Sequence, residues 1–155
     1  MNRLSQVLIA VALLSLTLSV QAGDWNSNDA NVVLDGYDVV AYHTQAEAVR
    51  GDASHALEYD GAVFHFSSAE NRDLFKADPD KYAPKYKGYC AFAVSAKNAK
   101  VPADPKTFKL YNGELLVFFN DLWDGQKFNT KVPWNADEQA MYRQAEQHWP
   151  ALNKS

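Results

Sequence analysis

Short apolar stretches separated by two-residue turn signals dominate the middle of the chain. Strand-forming residues flank Asp60-Gly61 over residues 56–66, and a second such pattern flanks Asn112-Gly113 over residues 107–120. Asp-Gly and Asn-Gly accept the positive φ angles of a tight hairpin turn. The pattern therefore predicts two β-hairpins.

Helical signals follow the first hairpin. Ser67 and Glu70 have the spacing of a capping box, which predicts a helix over residues 67–77. Asp78-Pro79 predicts a second, short helix with Asp78 as N-cap, ending near Ala83 because Pro84 disfavours helical backbone before it.

The last predicted helix begins at Asn135, carries an apolar face with a spacing of four residues, and ends at Pro150. The face consists of Met141, Ala145 and Trp149.

The remaining stretches complete the expected fold. Residues 23–31 are polar and predicted to be loose, and residues 89–94 form a compact apolar strand candidate. Two hairpins, one extra strand and about three helices indicate an α+β fold around a small antiparallel sheet.

The N-terminus has the features of a secretory signal peptide. Arg3 precedes an apolar run over residues 7–18, and Val20-Gln21-Ala22 is a small-x-small cleavage site. The apolar run is too short to span a bilayer comfortably. The sequence predicts a signal peptide over residues 1–22, a single domain over residues 23–155, a periplasmic location and no stable membrane anchor after cleavage.

Charge is unevenly distributed along the predicted mature chain. Without Arg3, 14 basic and 19 acidic residues remain, which is a net charge of −5. Residues 23–71 are strongly acidic and residues 72–109 are mostly basic, so the two segments are expected to face each other or to be solvated separately. The overall acidity argues against nucleic acid as a partner.

A single cysteine, Cys90, is unusual in a chain predicted to be exported, because such proteins normally pair their cysteines. It leaves four possibilities open: a buried apolar residue, a metal ligand, a reactive thiol, or a site of bonding to another molecule. The nearby Lys85 and Lys87 are expected to favour the thiolate, which is the nucleophilic and ligating form.

The histidines add candidate metal ligands without a metal-binding motif. No CxxC, HxxxH or HExxH spacing occurs in the sequence. His43 could join Cys90 as a soft-metal ligand or lie in a turn. Strand alternation places His65 on the face opposite its aromatic neighbours, and His55 and His148 are expected to be structural. No catalytic set is visible, so the sequence leaves open whether the protein is an enzyme.

Several segments in a fixed order resemble the YHS domain-containing (seleno)proteins that many bacteria export. They are LDGYDVVAY (34–42), YDGA (59–62), FSSAENR (66–72), FKADPDKYAP (75–84) and YKGYCA (86–91). The resemblance covers about residues 32–150. It implies metal or redox chemistry at Cys90, the position at which some members are expected to carry selenocysteine. This chain departs from the metal-sensing modules in having one cysteine, which excludes an all-cysteine site within one molecule.

The expected function is binding of a soft or borderline transition metal, copper first, with zinc or iron as alternatives. The expected ligands are Cys90, His43 and His65. Two alternatives stay open: a thiol-based redox protein that uses Cys90, and a non-catalytic structural or interaction module. The expected partner is the metal ion, and the sequence identifies no protein partner.

Overall fold

A computed structural model describes residues 23–154, so the predicted signal peptide lies outside the described residues. The α-helices are α1 (Ala41–Thr44), α2 (Ala69–Ala77), α3 (Pro79–Tyr82), α4 (Ala91–Lys97), α5 (Lys131–Ala136) and α6 (Glu138–Leu152). The strands are β1 (Asp52–Tyr59), β2 (Ala62–Phe66), β3 (Asp104–Tyr111), β4 (Glu114–Phe118), β5 (Asn120–Trp123) and β6 (Gln126–Asn129). Two 3-10 turns occupy Leu34–Gly36 and Lys85–Gly88.

The α+β class is confirmed, with the strands arranged as three separate antiparallel pairs, β1-β2, β3-β4 and β5-β6. Both predicted hairpins form. Their turns place Asp60 at φ 46° and Gly61 at 74°, and Asn112 at 52° and Gly113 at 78°. These are the positive angles that the two dipeptides accept. No helix within residues 23–154 is long and apolar enough to cross a membrane.

The third hairpin, β5-β6, has a turn at Asp124-Gly125 and was not anticipated. The same Asp-Gly signal that identified the first hairpin is present there. Because its flanking strands are only four residues long and largely exposed, they lack the alternation of a half-buried strand.

Helix α2 is capped by a different residue from the one predicted. The Ser68 hydroxyl accepts a hydrogen bond from the Asn71 backbone N–H, which makes Ser68 the N-cap. Ser67 instead binds the Asp38 carboxylate through its N–H and its hydroxyl, at 2.8 and 2.7 Å. A buried carboxylate therefore draws Ser67 away from the helix. Helix α3 has the predicted Asp78 cap and Pro79 at its start.

The predicted strand over residues 89–94 is wrong, because helix α4 begins at Ala91. Alternate residues do not point to opposite sides here. Ala91, Val94 and Ser95 are buried at helical spacing, and Asn98 ends the helix in the left-handed conformation at φ 48°. A short apolar run fits either element by periodicity alone, and packing on α6 decided for the helix.

The C-terminal segment forms two helices where one was predicted. Asp137 separates them, and its carboxylate accepts a hydrogen bond from the Ala140 backbone N–H at the start of α6. The predicted apolar face is confirmed, since Met141, Ala145 and Trp149 pack in one core cluster. Helix α6 does not end at Pro150, because Leu152 also packs on this cluster and holds the last turn.

Residues 23–31 were predicted to be loose because they are polar, but they make several tertiary contacts. Trp25 is buried, and its ring lies edge-on to Phe64 with centroids 5.1 Å apart. Its indole N–H donates to the Asp60 carboxylate at 3.2 Å. The acidic and basic segments do face each other. Asp60 pairs with Lys87 at 3.1 Å, and Asp24 pairs with Lys100.

Strand β4 lies between two cores. Leu115 and Val117 face a cluster that contains β1, β2, α2 and α3 residues, whereas Leu116 and Phe118 face a second cluster with α4 and α6. Successive residues of a strand point to opposite sides, so a strand buried on both faces is apolar throughout. The ELLVF sequence of β4 has this character, and it places the segment around Cys90 at the seam between the cores.

Candidate functional site: a buried thiol at the base of an apolar pocket

The backbone of Cys90 is fixed on two sides. Its N–H donates to the Val101 carbonyl at 2.9 Å, and it forms a parallel bridge with Val117 of β4. Its carbonyl accepts from the Val94 N–H at 3.1 Å, which starts helix α4. Cys90 thus stands at the end of a strand-like segment and at the N-cap of a helix.

The Cys90 sulfur is fully buried and has two polar neighbours. The Phe119 backbone N–H donates to Sγ at 3.3 Å, and the Thr130 hydroxyl lies 3.2 Å from Sγ. The Thr130 hydroxyl also reaches the Phe119 carbonyl at 3.0 Å. When its proton is directed to that carbonyl, the Thr130 oxygen accepts from the Cys90 S–H.

The same neighbours suit the ionised sulfur. The Phe119 N–H already points at Sγ, and a rotation of the Thr130 hydroxyl would add a second donor. A thiolate gains from such donors, because hydrogen bonds to a charged acceptor are stronger than those to a neutral one. The arrangement therefore provides a partner for either protonation state of the sulfur.

A pocket of about 430 Å³ has Cys90 among its lining residues and is almost wholly apolar. Cys90, Ala93 and Lys97 line one wall, at a spacing that places them on one face of α4. The remaining lining residues are Phe92, Ala99, Val101, Phe119, Trp123, Phe128 and Thr130. The volume lies within the range of small-molecule sites.

The β5-β6 hairpin forms the outer wall of the pocket. Trp123 is 57% exposed and Phe128 40% exposed, although both rings line the cavity. The Trp123 ring lies edge-on to Phe119 at 6.0 Å, and the Phe128 ring lies edge-on to Phe92 at 6.2 Å. These aromatic pairs join the hairpin to the body of the protein around the opening.

His43 lies in a different environment, at the end of α1. Its ring stands edge-on to Tyr82 with centroids 5.4 Å apart, and its Nε2 atom is buried without a hydrogen-bond partner. Burial lowers the pKa of His43, the nearby Lys81 ammonium lowers it further, and a backbone hydrogen bond at Tyr82 opposes both. The imidazole is therefore held neutral, the form that binds metals.

His65 lies on β2 between two buried aromatic residues and faces away from them, as the alternation predicted. Its ring packs beside Gly36, where a Cβ would stand 3.3 Å from Nδ1. Among the other histidines, His148 binds the Val94 carbonyl at 2.9 Å, which is a structural contact.

The structure does not bring the three predicted ligands together through any contact. Among residues 23–154, no hydrogen bond or ring contact joins Cys90 to a histidine, and no group of three or more His, Cys, Asp or Glu residues could hold a metal ion. The donors around the sulfur are one hydroxyl and one backbone N–H. This set does not fit a closed metal site with three or four protein ligands.

The two lysines expected to favour the thiolate are engaged elsewhere. Lys85 forms ion pairs with Glu114 at 2.9 Å and with Glu146 at 3.2 Å, and Lys87 pairs with Asp60. The polar groups next to the sulfur are the Thr130 hydroxyl and the Phe119 N–H, and not the lysines. Sequence reasoning did not identify these two residues, because Phe119 is 29 positions and Thr130 is 40 positions from Cys90 along the chain.

Part of the chain matches a known protein family. Residues 40–86 match the YHS domain, a family associated with metals. No curated protein and no solved structure shows significant similarity to the chain. The matched segment runs from α1 to the second 3-10 turn and includes His43 and His65, whereas Cys90 lies four residues beyond it. Every residue that lines the pocket lies beyond the matched segment. This protein therefore contains a YHS domain, and its pocket is formed by the part of the chain that follows that domain.

Proposed function

We propose that this protein acts through the thiol of Cys90, as a redox-active or nucleophilic group presented to small molecules that enter the apolar pocket. One observation carries the proposal: the only cysteine of the chain is among the residues that line a cavity of about 430 Å³. Because Cys90 is fully buried, a small molecule in the pocket reaches the sulfur only when a neighbouring side chain moves aside.

Two further features support a chemical role for this sulfur. The Phe119 N–H and the Thr130 hydroxyl can both donate to a thiolate, which is the form that attacks disulfides and electrophiles. The apolar walls exclude water from the sulfur, and such exclusion strengthens the electrostatic effect of the two donors.

Alkylation of the native protein with N-ethylmaleimide tests the proposal. We expect a single adduct on the wild-type protein, none on Cys90→Ser, and a rate about three- to tenfold lower for Thr130→Val, because valine has the shape of threonine without the donor. Mass spectrometry measures the rates, and the same proteins in urea calibrate the intrinsic reactivity. An adduct that forms only in urea would show that Cys90 is inaccessible core.

The association of the YHS domain with metals favours a second candidate, binding of a soft metal ion with copper first and zinc or iron after it. Cys90 would supply one sulfur ligand, and a second protein copy or an external ligand would complete the coordination. His43 and His65 are the candidate histidine ligands from the matched segment. The buried, unpaired Nε2 of His43 is the observation that favours it among the histidines.

Anaerobic titration with Cu(I) in the presence of a competing chelator tests this candidate. We expect Cys90→Ser to lose the bound metal, and His43→Gln to weaken binding more than His55→Gln does. Equal weak binding by the wild-type protein and Cys90→Ser would rule out copper ligation by this sulfur.

We also propose that the protein is exported to the periplasm, on the basis of the apolar run and cleavage site within residues 1–22. Cell fractionation followed by N-terminal sequencing of the purified protein tests this. The expected N-terminus is Gly23, and a cytoplasmic protein that retains Met1 would contradict the proposal.

A further inference from the structure

We propose that the pocket over Cys90 binds a small, flat, apolar molecule that carries one carboxylate or a similar monoanionic group, with Lys97 as the residue that recognises the charge. The inference rests on the proposed function only in taking this pocket as the functional site. It names the class of ligand and does not require any reaction at the sulfur.

The size of the cavity determines how large the ligand is. A cavity of about 150 Å³ lined by apolar side chains accommodates benzene. The pocket here, at about 430 Å³, is nearly three times that volume and has room for two fused rings with a substituent. Its aromatic lining, in which Phe92, Phe119, Trp123 and Phe128 stand around the opening and walls, favours a planar apolar body.

The charge of the ligand follows from Lys97. It is the one charged residue among those that line the cavity, and it is exposed at the last turn of α4. Within residues 23–154 no carboxylate pairs with Lys97, whereas Lys85 and Lys87 both have acidic partners. Because the lining is almost wholly apolar, Lys97 contributes its methylene stem to the wall while its ammonium group lies in solvent. A charge next to an apolar pocket is complementary to an amphipathic anion.

The geometry of α4 also sets the length of the ligand. Cys90 and Lys97 are seven residues apart, and a helix rises about 1.5 Å per residue, so their backbone positions are about 10 Å apart along the helix. A two-ring aromatic carboxylate is close to this length. Its rings would lie against Ala93 and Val101, and its carboxylate would reach the Lys97 ammonium.

A matched pair of probes tests the inference, 2-naphthoate and its uncharged isostere 2-naphthamide. Calorimetric titration at pH 7.5 is expected to show one site per chain and a binding constant about two- to fivefold higher for the carboxylate, the contribution of an exposed ion pair. Lys97→Gln should abolish the difference. Lys76→Gln is the matched control, because Lys76 also lies exposed in the last turn of a helix, α2, and has no described partner.

One more variant locates the site. Ala99→Phe adds a ring inside the cavity and should weaken both probes, provided that its thermal unfolding matches that of the wild-type protein. Naphthoate binding and the N-ethylmaleimide reaction are both measured on the wild-type protein, so that either can fail without the other. Failure of the thiol reactions with retained naphthoate binding would reject the proposed function and keep the ligand class.

Four results would overturn the inference. One is the absence of binding by either probe, and another is equal binding of the two probes to the wild-type protein. The third is a concentration-dependent dimer in sedimentation experiments that Trp123→Ser abolishes, since a second copy of the chain would then occupy the opening. Equal effects of Lys97→Gln and Lys76→Gln would likewise remove Lys97 from the site.

Discussion

Asp38 is the buried charge around which the start of the YHS segment is organised. One carboxylate oxygen accepts from the backbone N–H groups of Val40 and Ala41, at 2.9 and 3.2 Å. The other accepts from the N–H and hydroxyl of Ser67 and from the Asn71 amide, at 2.7–2.8 Å. One fully buried side chain thereby joins α1, the end of β2 and helix α2.

Replacing Asp38 with alanine should destabilise the protein by at least about 3 kcal/mol. The change leaves several buried donors without an acceptor, and each such donor costs roughly 1–3 kcal/mol. Urea denaturation followed by circular dichroism measures the loss. The control is Asp29→Ala, an exposed aspartate without a described partner, for which we expect a change within about 0.5 kcal/mol. Similar losses for both variants would contradict this role of Asp38.

His43 should make stability depend on pH near neutrality. Because its pKa is lowered in the folded state, the unfolded chain binds a proton first as the pH falls. The His43 contribution is therefore complete above about pH 6.5, the ordinary value for histidine, and is lost as the pH falls through the lower folded value.

The measurement is the urea midpoint between pH 8 and pH 5, with EDTA present to remove metal ions. The decline with falling pH should be shallower in His43→Gln than in the wild-type protein. His55→Gln, which alters a histidine on the partly exposed strand β1, is the matched control. Parallel curves for all three proteins would show that His43 titrates normally.

At the scale of elements, strand β4 connects the main parts of the fold. It pairs with β3, its two faces enter the two cores, and it forms the parallel bridges that position Pro84 and Cys90. The β5-β6 hairpin is different, since its four-residue strands are mostly exposed and it contributes the outer wall of the pocket.

A pair of leucine-to-alanine substitutions separates these roles. Leu116→Ala in β4 removes a fully buried side chain and should cost about 2–5 kcal/mol. Leu122→Ala in β5 removes a side chain that is 64% exposed and should cost less than about 0.5 kcal/mol. Chemical denaturation measures both. A large loss for Leu122→Ala would mean that the hairpin is part of the cooperative core.

At the scale of the whole molecule, a polar cluster holds α6 against the YHS segment and β4. Lys85 bridges Glu114 and Glu146, the Tyr86 hydroxyl donates to Glu146 at 3.0 Å, and the Tyr142 hydroxyl donates to Glu114 at 2.6 Å. Desolvation and the hydrogen bond to Glu114 raise the pKa of Tyr142 to about 12.

This cluster predicts a loss of stability in alkali. Above about pH 10 the unfolded chain releases the Tyr142 proton while the folded protein keeps it, so the free energy of unfolding falls between pH 10 and pH 12. Denaturation midpoints at pH 8 and pH 11 measure the fall, which should be smaller in Tyr142→Phe. An identical fall in both proteins would place the alkaline sensitivity at other groups.

Local chemistry in the sequence was enough to predict the elements whose signals are short-range. The Asp60-Gly61 and Asn112-Gly113 turns, the Asp78-Pro79 helix start and the apolar face of Met141, Ala145 and Trp149 depend on neighbours within a few positions. Backbone φ preferences, capping geometry and helical periodicity act at that distance, so these predictions are confirmed.

Contacts between distant residues decided what the sequence left open. Residues 89–94 were predicted as a strand, and packing of Val94 and Ala91 on α6 made α4 a helix. Ser67 left its predicted cap position for Asp38, 29 positions away. Local propensity does not predict either outcome. The helix and strand forms of residues 89–94, like the two possible roles of Ser67, differ in free energy by less than one buried contact supplies.

For the candidate site, the sequence by itself determined that one thiol was available and that no internal disulfide or multi-cysteine cage could form. Only the tertiary structure decided its surroundings. It placed Thr130 and the Phe119 N–H at the sulfur, a cavity above it and Lys97 at the rim, and it gave His43 and His65 other neighbours. The reason is physical: a pocket is formed by surfaces from several elements, and these surfaces meet only when α4 and the β5-β6 hairpin, which are separate along the chain, pack against each other.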